Sequence, residues 1–368
     1  MEVEQKMKIK TIGVIGAGQM GHGIALVSAQ AGFSVILQDV KDEFVEKGLA
    51  RINKFLSKSV EKKRMTEEEK KKVLSNITGT SDLKELKDVD IVIEAVFEER
   101  AVKKSVYEEL MTVIPETCIV ASNTSSLPVS ELAKHVTHPA RFAGLHFFSP
   151  VWRMQLVEIV RGDATSQETV DDLLSFVDSM GKRPIICRDN PGFVVNATLF
   201  PYFLTALRLI EEGNTIETVD GAMTRFGMPV GPIKLIDNVG IDVMHKIFMG
   251  LAIPQETIRR VVEAGRLGVK KSGAGFFTPD GSVDPTVLPL IFRTGDNEKS
   301  EEVIQEQLLS SMVTAGRDLV AKEIVSDARM IDAGMIWGTG FPPEKGGPMK
   351  WSDLTGMSSR LFGKTFYE

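Results

Sequence analysis

The stretch that most constrains this chain is residues 11–39, TIGVIGAGQMGHGIALVSAQAGFSVILQD. A short apolar run ending at Ile15 reads as a buried strand. It opens straight into Gly16-Ala17-Gly18-Gln19-Met20-Gly21, continues as a helical stretch, and ends in a second apolar run that closes at Asp39. Each glycine has a task in such a unit. Gly16 permits the tight turn, Gly18 leaves the backbone open to a pyrophosphate, and Gly21 lets the helix lie close to the sheet. The helix N-terminus offers unpaired N–H groups and the positive end of its dipole. Asp39 stands 18 residues beyond Gly21, where a carboxylate accepts the adenine ribose hydroxyls and repels a 2′-phosphate. The reading is therefore a dinucleotide site that prefers NAD to NADP, with Gly16, Gly18, Gln19, Met20, Gly21 and Asp39 around the cofactor.

A chain of 368 residues is long enough for two or three domains, each with its own core. Apolar runs at residues 11–15, 34–38, 77–80, 91–94, 118–122, 141–147, 157–160 and 184–187 read as strands, separated by amphipathic stretches, the longest over residues 43–75. This alternation predicts an α/β Rossmann-type NAD-binding domain over residues 1–187, with a parallel sheet covered on both faces and a hairpin-like pairing of the later strands. The character changes at Asp189-Asn190-Pro191-Gly192-Phe193, beyond which the pattern is helical. We expect a first helical domain over 188–292, serving substrate or dimerisation, and a Pro- and Gly-marked linker around 278–297. A second helical repeat then fills 293–368. Val219-Asp220-Gly221-Ala222-Met223 returns as Ile331-Asp332-Ala333-Gly334-Met335, and Gly231-Pro232-Ile233-Lys234-Leu235-Ile236-Asp237 as Gly347-Pro348-Met349-Lys350-Trp351-Ser352-Asp353. Ala206-Leu207-Arg208 has its counterpart in Ala315-Gly316-Arg317, so the helical module is duplicated.

Composition excludes several classes. A net charge of −6 leaves no basic excess for a nucleic-acid partner. No apolar run approaches the roughly eighteen residues of a membrane span. The opening MEVEQKMKIK has no apolar core of a secretion signal, and the expectation is a cytoplasmic protein. The two cysteines, Cys118 and Cys187, sit in apolar runs and read as reduced core residues. Five histidines with no HxxxH or CxxC spacing argue against a metal site.

The chemistry centres on RFAGLHFFSP, which puts His146 at the end of an apolar strand. Twelve residues on, QLVEIV places Glu158 inside another. The carboxyl edge of an open α/β sheet is where ligands bind. There a carboxylate holding one imidazole nitrogen fixes the tautomer and makes the other a better base. Such a pair suits removal of a hydroxyl proton during hydride transfer. Ser125 in the hydroxyl-rich ASNTSSLP loop and Asn196 on the first helix beyond Pro191 are candidates to face the reacting oxygen.

Together these residues resemble the L-3-hydroxyacyl-CoA dehydrogenase family. The likeness runs through GAGQMG, EAVFEE (94–99), SNTSSL (122–127), RFAGLHFFSP, LVEIV, DNPGFVVN (189–196), GMPVGPIKLID (227–237) and KKSGAGFF (270–277). The tail MIDAGMIWGTGFPPEKGGPMKWSDL is similar to the second helical repeat of the larger fatty-acid oxidation members. The resemblance implies oxidation of an L-3-hydroxyacyl-CoA to the 3-ketoacyl-CoA with NAD as hydride acceptor. It implies His146 as general base, Glu158 as its orienting partner, and Ser125 and Asn196 on the reacting oxygens. It adds Glu98, Lys103, Ser125, Ser149 and Lys271 to the cofactor set, and Lys62 as a contact for coenzyme A. The family carries an arginine after the asparagine of PGFxxN, where this chain has Ala197. Its single-repeat members pair through their helical domains, so the chain is expected to be a homodimer, or a monomer if the second repeat covers that surface. Three alternatives stand beside this one. They are a 3-hydroxybutyryl-CoA dehydrogenase of a reductive, aromatic or dicarboxylic pathway, a non-catalytic NAD-binding protein, and a 2-hydroxy-acid or sugar-acid dehydrogenase using Arg153.

Overall fold

The computed structural model describes residues 9–367, so the expectation of a chain without a leader, which concerns residues 1–8, lies outside the described residues. The chain falls into two compact units. One runs to Phe193 and includes Glu323–Ser326; the other comprises Val194–Lys322 and the chain from Asp327 onward.

The first unit is built on eight strands: β1 (Thr11–Ile15), β2 (Ser34–Gln38), β3 (Ile77–Thr80), β4 (Ile91–Glu94), β5 (Ile119–Ser122), β6 (Phe142–Phe147), β7 (Leu156–Arg161) and β8 (Arg183–Arg188). They lie in the order β3-β2-β1-β4-β5-β6-β7-β8. All neighbours are parallel except β6 and β7, which form the expected antiparallel pair. Strands β4, β5 and β6 are buried along their whole length, which is why they read as continuous apolar runs without alternation. Six helices accompany the sheet: α1 (Gly21–Gln30), α2 (Asp42–Glu61), α3 (Glu67–Ser75), α4 (Arg100–Leu110), α5 (Val129–Leu132) and α6 (Gln167–Ser179). The amphipathic stretch 43–75 forms two helices, α2 and α3. Thr66 starts α3 with reciprocal hydrogen bonds: its hydroxyl accepts from the Glu69 amide at 3.1 Å, and its own amide donates to Glu69 Oε2 at 2.8 Å. Cys118 and Cys187 are buried free thiols, and burial pushes Cys118 up to about 12.

The second unit is helical: α7 (Val195–Glu211), α8 (Ile216–Phe226), α9 (Pro232–Val239), α10 (Ile241–Gly250), α11 (Glu256–Glu263), α12 (Val269–Ser272), α13 (Glu301–Ala321), α14 (Ala328–Thr339), α15 (Pro348–Leu354) and α16 (Met357–Phe362). The expected duplication is visible atom by atom. On α8, Asp220 accepts the Ile233 and Lys234 amides at 2.7 and 2.9 Å, capping α9. On α14, Asp332 accepts the Met349 and Lys350 amides at 2.7 and 3.0 Å, capping α15. The carboxylates press so close that a Cβ on Gly231 would lie 2.3 Å from Asp220 Cγ, and one on Gly347 would lie 2.4 Å from Asp332 Cβ.

The repeat also extends past the blocks legible in the sequence. Asp237 accepts the amides of Val269 and Phe277 at 2.9 and 3.1 Å. Its counterpart Asp353 accepts those of Phe366 and Tyr367 at 2.9 and 2.8 Å. Lys234 Nζ lies 3.9 Å from the centre of the Phe277 ring, and Lys350 Nζ lies 4.7 Å from that of Tyr367. Residues 363–367 are therefore the second copy of 273–277. The match is hidden in sequence because 40 residues, including α10 and α11, separate Asp237 from Phe277, against 14 between Asp353 and Tyr367. Helix α13 packs along α7 and α8. The two copies touch reciprocally: a Cβ on Gly227 would meet Pro342 at 2.8 Å, and one on Gly340 would meet Pro229 at 2.9 Å. The expected linker at 278–297 contains a 3-10 turn, Pro285–Leu290, with Val287 buried. Among the described residues, no helix is long and apolar enough to cross a membrane.

Candidate active site

The glycine loop takes the shape its spacing demands. Gly16 sits at φ +96°, a left-handed conformation, with its would-be Cβ only 2.7 Å from the Ala95 carbonyl, so no side chain fits there. A Cβ on Gly21 would stand 1.7 Å from the Gly16 oxygen, whereas one on Gly18 would meet nothing within 4 Å. Gly18 and Gln19 are exposed. The open space is thus at the middle glycine, where a pyrophosphate would approach. Met20 caps α1 without a side-chain hydrogen bond, and no acid occupies the first turn to compete with an anion. Burial holds the His22 imidazole below its ordinary value, and its Nδ1 lies 2.6 Å from the Gly18 carbonyl, steadying the loop from behind. Asp39 follows directly on β2 and clamps the same loop: Oδ2 accepts the Ala17 amide at 2.7 Å and Oδ1 that of Val40 at 2.8 Å.

Strand register carries Ile15 across to Glu94, Ser122 and Gly144. His146 stands two residues beyond that line, on the same carboxyl edge as the glycine loop. It lies opposite Glu158 in the β6–β7 pairing, with Nδ1 2.6 Å from Glu158 Oε2. Both residues are buried, at 6% and 0% exposure. The His146 ring packs against Phe148 and Phe193, with centroids 4.5 and 5.7 Å away. With Nδ1–H donated to a carboxylate, Nε2 is the nitrogen that carries the lone pair. The segment after His146 folds back onto the cofactor helix. Gln19 Nε2 donates to Ser149 Oγ at 3.3 Å, Val151 fills the space over Gly23, and Trp152 stacks near His22 and Phe55. Lys182 donates to the Met154 carbonyl at 2.7 Å and also to that of Val151.

Between these two features lies a polar cluster of which the family resemblance supplied Glu98, Lys103 and Ser125, but not Glu94, Tyr107, Ser122 or Thr124. Glu94, fully buried at the end of β4, accepts from Lys103 Nζ at 2.6 Å, Tyr107 Oη at 2.6 Å, Ser122 Oγ at 2.7 Å and the Val96 amide at 2.9 Å. Lys103 is 1% exposed and reaches Glu98 at 3.3 Å as well. Glu98 Oε1 in turn accepts from Thr124 Oγ1 at 2.6 Å and from the Ser125 and Ser126 amides at 2.8 and 3.1 Å. Burial pushes the Glu98 carboxyl up, but Lys103, Thr124 and the Ser125 amide outweigh it and hold it below the usual range. Ser125 directs its hydroxyl to Glu98 at 3.3 Å, and Asn123 Oδ1 accepts the Phe147 amide at 2.9 Å, beside His146. The one sequence signal for this cluster was three acids in EAVFEE ahead of a lysine; the burial of that lysine had none.

The remaining candidates lie elsewhere. Lys62 is exposed at the C-terminal end of α2. In the helical unit, Asn196 is half-buried at the start of α7, and Ala197 follows it. Lys271 on α12 is an exposed partner of Asp242, whose Oδ1 is buried without a donor.

A Rossmann-type cofactor edge backed by a carboxylate-held imidazole defines the class, an NAD-dependent dehydrogenase. The comparisons name the family. Residues 11–190 match the 3-hydroxyacyl-CoA dehydrogenase, NAD binding domain, and residues 192–278 match the 3-hydroxyacyl-CoA dehydrogenase, C-terminal domain. The chain belongs to the 3-hydroxyacyl-CoA dehydrogenase family. It is 38% identical to the fatty acid oxidation complex subunit alpha of Idiomarina loihiensis, over 96% of this chain and 51% of that protein. It thus spans about half the length of the curated relatives it matches. Among solved structures, 3-hydroxybutyryl-CoA dehydrogenase from Escherichia coli is similar with a TM-score of 0.82 and 25% identity, covering 98% of this chain and 96% of that one. The (S)-3-hydroxybutyryl-CoA dehydrogenase from Ralstonia eutropha has a TM-score of 0.71 and 36% identity, covering 73% and 99%.

Proposed function

We propose that this protein oxidises an L-3-hydroxyacyl-CoA to the 3-ketoacyl-CoA in a fatty-acid β-oxidation type reaction in the cytoplasm. The reading rests on one observation above all: His146 and Glu158 in hydrogen-bonded register on the edge that carries the glycine loop. In this scheme Nε2 of His146 takes the proton of the 3-hydroxyl; NAD, when bound, would supply the two-electron acceptor for the C3 hydride. The new C3 carbonyl is left in place. Glu158 holds the imidazole and stabilises the imidazolium that forms. Ser125 and Asn196 hold the reacting oxygens. Gly16, Gly18, Gln19, Met20, Gly21 and Asp39, with Glu98, Lys103, Ser125, Ser149 and Lys271, would hold the cofactor. Lys62 meets the coenzyme A phosphates.

The experiment is the appearance of NADH absorbance with short- to long-chain L-3-hydroxyacyl-CoAs and with both NAD and NADP. Turnover of no member of the series would overturn the assignment and leave a non-catalytic NAD-binding protein. A sharp optimum at the four-carbon substrate would favour the second reading, a 3-hydroxybutyryl-CoA dehydrogenase, which the names of two similar structures support. For assembly we propose that the second repeat takes the place of a partner subunit. The reciprocal contacts of Gly227 with Pro342 and Gly340 with Pro229 support that reading.

A further inference from the structure

Glu94 stands fully buried at the centre of a polar cluster in the first unit, and the scheme above gives it no task. Its cost is considerable. Burying a carboxylate and an ammonium is unfavourable unless every donor and acceptor finds a partner, and replacing such a pair with apolar side chains is often neutral for stability. Here each member is satisfied. Each Glu94 oxygen accepts two donors, and the four come from three places in the fold: Lys103 and Tyr107 on α4, Ser122 on β5 and the backbone at Val96. Burial and the neighbouring Glu94 carboxylate raise the Tyr107 hydroxyl well above its ordinary value, so it remains a donor. A stability role would be met by a smaller apolar core. What the arrangement does instead is hold Lys103 in one place, between Glu94 at 2.6 Å and Glu98 at 3.3 Å. Glu98 is then fixed against the backbone of the Thr124–Ser126 loop.

We infer that Glu94 is a positioning residue for the reaction. Through Lys103 and Glu98 it preorganises the Ser125 loop against which the substrate oxygen binds. The chain of contacts is Glu94–Lys103–Glu98–Ser125, a continuous run of hydrogen bonds and ion pairs from the end of β4 through α4 to the loop after β5. With Glu94 neutralised, the Lys103 ammonium keeps a single carboxylate partner and shifts toward Glu98. Glu98 then turns from the amides of Ser125 and Ser126 and frees the loop. The glycine loop has its own clamp at Asp39, although Glu94 also holds the Val96 amide beside Gly16.

This inference rests on the proposed activity, and the test separates the two. Wild type, Glu94→Gln, Ser125→Ala and the double variant are assayed as full-length chains with an L-3-hydroxyacyl-CoA at saturating NAD. Glu94→Gln is expected to lower kcat/KM for the acyl-CoA about tenfold at saturating NAD, and KM for NAD should rise as well, because Lys103 and Glu98 belong to the proposed cofactor set. In the Ser125→Ala background the same change is expected to cost less than about threefold, because its target is already gone; coupled residues depart from additivity in this way. An equal loss in both backgrounds, or no loss in the wild-type background, overturns the relay while the activity assignment stands. An inactive wild type removes the activity assignment itself. Should Glu94→Gln fail to fold, Tyr107→Phe removes one of the four donors. The same cycle then reads at about threefold amplitude, with an additive result again overturning the relay.

Discussion

His146 Nδ1 stands 2.6 Å from Glu158 Oε2, directly across an antiparallel strand pair that both residues share. Neither side chain has to move to reach the other, and neither faces bulk water. That geometry commits one ring nitrogen and leaves the second with its lone pair, as a general base requires. His146→Ala should therefore abolish oxidation at saturating NAD while NADH binding, followed by fluorescence, changes little. Glu158→Gln should retain the fold and lose on the order of 10²-fold or more in kcat, the usual weight of a general base held correctly. Near-normal turnover in either variant would remove the pair from the mechanism.

Asp39 has two duties, because its Oδ2 already accepts the Ala17 amide. Asp39→Ala should weaken NAD by about tenfold or more, as expected for losing hydrogen bonds to a charged acceptor worth roughly 1.5–3 kcal/mol. It should also narrow the preference over NADP. Asp39→Asn keeps an acceptor for Ala17 and should recover part of the NAD affinity without recovering the discrimination. Isothermal titration with both cofactors checks the pair; an unchanged NAD/NADP ratio in Asp39→Ala would contradict it.

Burial pushes the Asp220 carboxyl up to about 7, against the pull of the Ile233 and Lys234 amides that it accepts. An acid that holds its proton more tightly in the fold than in the unfolded chain stabilises the fold fully below its unfolded value, about 3.8. That contribution disappears as pH rises through about 7. Asp332, raised to about 6 by burial, acts in the same direction. The melting temperature of the helical unit should fall between mildly acid and mildly alkaline pH. Asp220→Asn, although less stable throughout, should show a flatter profile by differential scanning calorimetry. A parallel profile would assign the pH dependence elsewhere.

Gly347 and Gly356 both have positive φ, +95° and +73°, yet their surroundings differ. At Gly347 an added Cβ lands 2.4 Å from Asp332, whereas at Gly356 it meets nothing within 4 Å. Gly347→Ala should then cost about 3 kcal/mol or more, strain and overpacking together, and Gly356→Ala about 1 kcal/mol. Urea unfolding distinguishes them, and equal costs would mean that the Asp332 cap yields easily.

The reciprocal Gly–Pro contacts use a surface on each helical copy that is the same by sequence. Light scattering at micromolar concentration should give the mass of a single chain. A tight dimer formed through α7–α9 would contradict the covered-surface reading.

Much of the first unit was legible because its determinants are local. Strands at 11–15, 34–38, 77–80 and 91–94 agree to the residue, since each is a short apolar run between glycines, acids and helical starts. The glycine loop was legible for the same reason: backbone conformation at Gly16 and contact at Gly21 admit no other residue. The later strands were legible to within a residue or so; β7 and β8 run one residue further at each end than expected. Glu94 was not legible this way, and Lys103 came only with the family resemblance. The Lys103 ammonium sits at the end of a flexible four-carbon stem, and whether it finds two carboxylates there depends on where α4 lands. The tail copy at 363–367 escaped because an insertion of two helices removes any constant offset.

The sequence on its own determined the dinucleotide turn, the alternation of strand and helix, the pairing of an imidazole with an acid on neighbouring strands, and the duplication of the helical module. All are written in spacing, which the chain carries before it folds. Tertiary structure alone decided which nitrogen of His146 is committed and that Lys103 is buried between two acids. It alone decided that two aspartates cap helices thirteen and seventeen residues downstream. Those outcomes depend on the packing of elements distant in sequence, where a shift of an ångström converts a solvated charge into a fixed one.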